Sequence, residues 1–376
     1  MFNGKSLAAV LSILMTLVLV LTGCSSSDSP KDSLQKAMEK SADIHSYELS
    51  GSLKLADLKL PEEVMQEEGA AGALGFLTNT EISWTGAYQA DPMLMELTMK
   101  ISISGDLAMS FQIPIIMNKE KMWIKIPNIP MLGLPEDMVG KFIELDLKQM
   151  AEDQGAEWPG NADVGNMTKL ANDVYAIVFK HVDEKTYLSN PKPEDAGVPK
   201  DKAKSVVQLH MTKDQVEPFV NTLVKDIAPE VIDLLAKNEQ YRNMLQLKPE
   251  DLDEAKKQLS ETGDQDIKDA MAEFDKSVKE LDVTANIGID KDGYASYDDL
   301  TVKANIEDNG QSGSGTLKIV TEMSNINGDV KFENGEPKAD QILSEDQLNQ
   351  ALGGFFGGAG DFSGLTDESL DAGSGM

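Results

Sequence analysis

From Ser46 to Leu147 apolar and polar residues alternate with a period of two, and this alternation restricts the chain more than any other feature of its 376 residues. In YELSGSLKL, Tyr47, Leu49, Leu53 and Leu55 fall on one side and Glu48, Ser50, Ser52 and Lys54 on the other. Successive side chains of a strand point to opposite faces, so such a segment is a strand buried on one side. The pattern recurs through Ile82, Trp84 and Tyr88, and through Met93, Met95, Leu97, Met99, Ile101 and Ile103. It continues in Leu107, Met109, Phe111, Ile113 and Ile115, then in Met122, Ile124 and Ile126, and in Ile143, Leu145 and Leu147. Ala90-Asp91-Pro92 and Ser104-Gly105-Asp106 carry turn chemistry between neighbours. An antiparallel meander with one wet face is expected.

The period then lengthens. Leu170, Val174, Ile177 and Val178 share one helical face, as do Val216, Val220, Leu223 and Ile227, with Thr212 and Gln215 forming a capping box ahead of them. Ile267, Met271, Phe274, Val278 and Leu281 predict a third amphipathic helix. Pro218 suits the first turn of its helix, while Pro229 and Pro249 predict new helical starts. A strand at Val207, Leu209 and Met211 lies between the first two helices. Strands return at Val283 to Ile289, Leu300 to Ile306 and Leu317 to Met323, and Ser344 to Leu352 reads as a last short helix. Residues 353–376, rich in Gly, Ser and Asp, are expected to be disordered. The terminal strands have an apolar face that only the middle helices can cover, so residues 32–352 are expected to form one α+β domain. In it a curved antiparallel sheet carries amphipathic helices on its apolar face.

The N-terminus has a different logic. Lys5 is followed by an uncharged run from Leu7 to Leu21, then Thr22, Gly23 and the sole cysteine, Cys24. A secretory signal has this layout, whereas a spanning helix needs ~20 apolar residues. Leu21-Thr22-Gly23-Cys24 resembles the lipobox of bacterial lipoproteins, which implies a signal peptide over residues 1–23 and a lipid on Cys24. Two acyl chains hold a protein stably on a membrane. Residues 24–31, Ser-rich after Cys24, suit a flexible tether. A formal charge of −30 excludes a generic nucleic-acid binder, which needs a basic patch.

Taken together, the lipobox, the tether, KAMEKSADIHSYELSGSLKL, MWIKIP, KFIELDLKQM and IGIDKDGYASYDDLTVKANI resemble Gram-positive membrane lipoproteins of the LolA/LppX-like fold. That resemblance implies a half-barrel around helices, an apolar cavity for acyl chains, a place on the extracytoplasmic face of the cell membrane, and no enzymatic activity. The chain departs from a soluble carrier in keeping its own anchor and in its acidic insert from Lys248 to Glu280.

Met93, Met95, Met99, Met109, Phe111 and Met122 are the ligand-cavity candidates. Methionine adapts to irregular apolar ligands and equally fills irregular cores, so the residues alone leave both roles open; the resemblance favours the cavity. Two apolar stretches read as loops: GAAGALGFL, with Leu74, Phe76 and Leu77, and IPNIPMLGLP, with Met131 and Leu132. They either fold back on the core or form a lip that meets lipid. His45, His181 and His210 lie on separate elements, and no nucleophile elbow, P-loop or dinucleotide fingerprint is present. No cofactor or metal is expected. GIDKDGYASYDD matches a calcium loop poorly and reads as a hairpin turn with Gly293 at positive φ. The functional expectation is a lipid-anchored binder or carrier of a lipid or other amphiphile. The alternative is a structural, interaction or sensory accessory lipoprotein with a solid core.

Overall fold

The computed structural model describes residues 29–66, 70–105, 108–129, 134–153, 164–308 and 310–344. The signal segment, Cys24, all of the last expected helix beyond Ser344 and the C-terminal tail lie outside these residues. The fold is α+β, built on one open eleven-stranded sheet in the order β6-β5-β4-β3-β2-β1-β11-β10-β9-β8-β7. The strands are β1 (Ser46–Lys59), β2 (Thr80–Ala90), β3 (Met93–Ile103), β4 (Met109–Met117), β5 (Lys121–Lys125) and β6 (Phe142–Asp146). After them come β7 (Leu188–Ser189), β8 (Ser205–Thr212), β9 (Val278–Ile289), β10 (Ala295–Asp308) and β11 (Gln311–Ser324). Every strand pairing is antiparallel. Because β1 pairs with both β2 and β11, the first and last strands sit together in the middle of a single sheet.

The first helix, α1 (Pro30–Ser41), starts earlier than the tether reading allows. Ser29 caps it by accepting from the Asp32 N–H at 3.2 Å, and Pro30 takes the first position, where a missing N–H is harmless. Pro30 and Lys31 therefore belong to the helix. Short helices follow at α2 (Glu62–Met65) and α3 (Ala70–Asn79). The latter corrects the expected GAAGALGFL loop. Ala and Leu are strong helix formers and outweigh two glycines that cost ~1 kcal/mol each. The Thr78 and Thr80 hydroxyls donate to the carbonyls of Leu74 and Phe76.

Helix α4 (Leu147–Asp153) precedes α5 (Val164–His181) and α6 (Glu184–Tyr187). The Thr212–Gln215 capping box is present, with the Thr212 N–H donating to Gln215 Oε1 at 2.8 Å. Helix α7 (Val216–Thr222) then runs through a π turn (Leu223–Ile227) directly into α8 (Ala228–Lys237). Pro229 stands in the first turn of α8, as expected, although that helix is continuous with the π turn before it. The proline removes the N–H that would bond the Lys225 carbonyl, and the wider turn, with the Ala228 N–H bonded to Leu223 O, absorbs the loss. After α9 (Glu239–Met244) the acidic insert forms α10 (Pro249–Glu261) and α11 (Asp264–Ser277). Val278 is already extended, at φ −97° and ψ 111°, so Val278 and Leu281 belong to β9 and not to the helix.

The largest apolar cluster joins Leu34 and Met38 of α1, Leu170 and Val174 of α5, Val231, Ile232 and Leu235 of α8, and Leu252 of α10 with Val207 of β8 and Ile287 and Ile289 of β9. Beyond β11 the chain crosses back toward β6. Asn327 accepts from the His45 N–H, Asn334 and Gly335 bond Glu96 of β3, and the Leu343 N–H bonds the Phe142 carbonyl. This strap covers a second buried group on the other side of the sheet, Ile116, Trp123 and Phe142 packed with Ile342.

Candidate functional site: the apolar face of the sheet

Residues paired directly across antiparallel strands project to the same side. Met95 pairs with Tyr88 and Met117, Met117 with Met122, Met99 with Trp84 and Ile113, Ile101 with Phe111, Ile103 with Met109, and Ala90 with Met93. The six cavity candidates, Met93, Met95, Met99, Met109, Phe111 and Met122, thus share one face with Leu97, Ile115 and Ile124. Tyr47, Leu49 and Leu53 of β1 extend it. Apart from Tyr88, all of these are half-buried. At the β8–β9 end the same face holds Val207, Ile287 and Ile289, which are 1%, 3% and 0% exposed under the helices of the main cluster.

One cross-strand row links the two ends. Met99 pairs with Trp84, Trp84 with Gly51, Gly51 with Thr321, and Thr321 with Asp298. Gly51 is required here by close approach: Cε2 and Cζ2 of Trp84 lie 2.5 Å from where a Cβ would stand, so the indole lies over Gly51. Asp298 places a carboxyl among apolar neighbours, and burial pushes its pKa up to about 7. It nevertheless keeps accessible surface, being half-buried. It has no hydrogen-bond or ion-pair partner among the described residues. Burial raises the pKa of Tyr175, on α5, and the Asp298 charge raises it further. Burial likewise raises Tyr47 and Tyr88, whose rings lie 5.2 Å apart, and the Tyr88 hydroxyl is buried without a partner among the described residues.

Asp298, Thr321 and the orientation of Trp84 were missed in the sequence. The signal for Asp298 was available, because it falls in phase with Leu300 and Val302 and so on the apolar side of β10. Its neighbour Asp299 faces the other way, 7% exposed and 3.4 Å from Lys318 Nζ.

The opposite face carries its own apolar groups at Ile116 and Trp123 and is polar around Glu96. There Glu96, 4% exposed, accepts from the Asn334 backbone and side chain and from the Gly335 N–H at 2.7–3.1 Å. Beside it lies a cavity of about 240 Å³ lined by Glu48, Ser50, Thr85, Thr98, Ser324, Lys331 and Glu333 among others. This cavity, walled by both polar and apolar groups, is on the side away from the methionines.

Of the lip candidates, Leu74 is half-buried on α3, while Phe76 and Leu77 are 52% and 42% exposed. Met131 and Leu132 lie outside the described residues; from the same stretch Ile126 is buried and packs with Met138, Leu343 and Leu134. His181 and His210 each pair with one carboxylate, Glu230 and Asp282, at 3.0 Å. Among the described residues no three His, Cys, Asp or Glu side chains converge as metal ligands. The calcium-like stretch is a turn: Asp290 Oδ1 accepts from the N–H groups of Asp292 and Tyr294, and Gly293 has φ +89°. Among the described residues no helix is long and apolar enough to cross a membrane. No protein-family model, curated protein or solved structure matches the chain.

Proposed function

We propose that the chain is a lipoprotein of the LolA/LppX-like kind, anchored through Cys24 on the extracytoplasmic face of the cell membrane, that binds a lipid or other amphiphile. In this reading the sheet curves into a half-barrel, the amphipathic helices cover part of its apolar face, and the ligand occupies the rest. The observation that carries it is the contrast along one face: half-buried at Met95, Met99 and Phe111, dry at Val207, Ile287 and Ile289. Each methylene removed from water there contributes ~0.8 kcal/mol, so an acyl chain binds without any conspicuous polar motif. A second reading, an accessory lipoprotein that docks an envelope protein, is favoured by exposed Phe76 and Leu77 on α3.

Native mass spectrometry of the chain released from its own membranes tests the proposal. A bound amphiphile in wild type, lost in Met99→Trp, supports it. Wild type free of any amphiphile leaves the accessory reading in its place.

A further inference from the structure

The proposed ligand has a polar end, and the sheet offers one place for it. Asp298 stands on the apolar face beside Thr321, and on the far side of Thr321 the indole of Trp84 covers Gly51. Strands lie ~4.8 Å apart, so the carboxyl on β10 and the indole over β1 flank Thr321 across ~10 Å. A small cation seated above Thr321 and against the outward face of the indole that lies over Gly51 would reach the carboxylate on one side and lie within the ~6 Å over which a ring attracts a cation on the other. We infer that this row, Asp298, Thr321 and Trp84, recognises the ammonium head of an amine-bearing amphiphile whose chain lies toward Met99. The inference rests on the lipid-binding reading and adds the class of ligand.

Three observations support it. The Asp298 carboxyl has no hydrogen-bond or ion-pair partner among the described residues. Burial holds the carboxyl well above its ordinary value, as for an acid awaiting a counter-charge. The residue still keeps accessible surface, so the group lines a space and is not sealed in packing. An anionic head would meet Asp298 as a like charge, and a hydroxyl head would gain a hydrogen bond without the charge assistance that roughly doubles its strength.

The test uses membranes bearing the full chain and three photoactivatable, clickable alkyl probes of one length that end in an amine, a hydroxyl or a carboxylate. Labelling of the sheet-face peptides is compared between wild type and Asp298→Asn for each probe separately, which removes differences in membrane partitioning. The inference expects amine labelling to fall about tenfold in the variant, the loss of one charge-assisted contact, with hydroxyl labelling changed by less than about twofold. Trp84→Leu should lower amine labelling while leaving Asp298 in place. If amine labelling survives Asp298→Asn, or all three probes fall together, the ammonium site is refuted while lipid binding stands. If no probe labels the apolar face of wild type, the lipid-binding reading itself fails.

Discussion

Asp298→Asn should make the protein more stable at neutral pH. The wild-type carboxyl rises from 3.8 in the open chain to about 7 in the fold, because burial disfavours its charged form. In that window the native state holds a proton that the unfolded state has released, so stability falls as pH rises from the unfolded value to the folded one. The full span is about 3 units, or about 4 kcal/mol at 1.36 kcal/mol per unit. Roughly 2–3 kcal/mol of it falls between pH 5 and pH 8, and the surface that Asp298 retains trims this further. Among the described residues no cation opposes the effect: the facing groups are Thr321 and Ile287 on the sheet, and Tyr175, which stays neutral. Asparagine keeps the shape and removes the titration.

Urea unfolding followed by circular dichroism at pH 5 and pH 8, at one ionic strength, measures the effect as the difference between variant and wild type. The difference isolates this group, because Glu144, Glu230 and Asp282 have lowered pKa values and pull stability the opposite way with pH. The variant should gain ~2 kcal/mol relative to wild type on going from pH 5 to pH 8. A difference that is flat with pH, or a wild type that is the more stable at pH 8, refutes the reasoning.

Four further outcomes follow from named contacts. Gly51→Ala drives a Cβ into the Trp84 indole and should cost ~1–3 kcal/mol in urea unfolding, with a shift in tryptophan emission. Glu96→Ala leaves three N–H donors of Asn334 and Gly335 without their acceptor; a loss of ~2–4 kcal/mol and faster proteolysis within residues 325–344 are expected. Deleting residues 281–333 takes out β11 and β10 and most of β9 beside β1, so no protease-resistant N-terminal fragment should survive. Cys24→Ser should abolish uptake of labelled fatty acid and leave unprocessed precursor, whereas persistent labelling removes the anchor.

The strands were legible because their signal is local. Met95, Met99 and Phe111 declare a face by their phase alone, and the register then aligned those phases across β2 to β5. The α3 helix was not legible in this way, since Gly72 and Gly75 suggest a loop while the deciding term is the summed propensity of its Ala and Leu residues. Nor was the end of α11, where Val278 and Leu281 satisfy a helical spacing and a strand spacing equally well and sheet pairing decides. The strap carried no periodicity at all. Its bonds reach from Asn334 back to Glu96 and from Leu343 back to Phe142, contacts that no local pattern encodes.

The distribution of buried charge bears on the proposed use of the apolar face. On the polar side Glu96 is buried as well, yet the strap supplies every donor its carboxylate needs, as a structural buried charge requires. On the apolar side Asp298 is given none among the described residues, although Ser, Thr or Asn at that position would avoid the cost. An uncompensated carboxyl costs the empty protein stability as pH rises, and such groups persist where a partner arrives from outside. The half-buried methionines lie on β3–β5 of the same face, so under the proposed function a ligand that supplies the missing charge at Asp298 would extend its chain over Trp84 and Met99 and remove both deficits in one event.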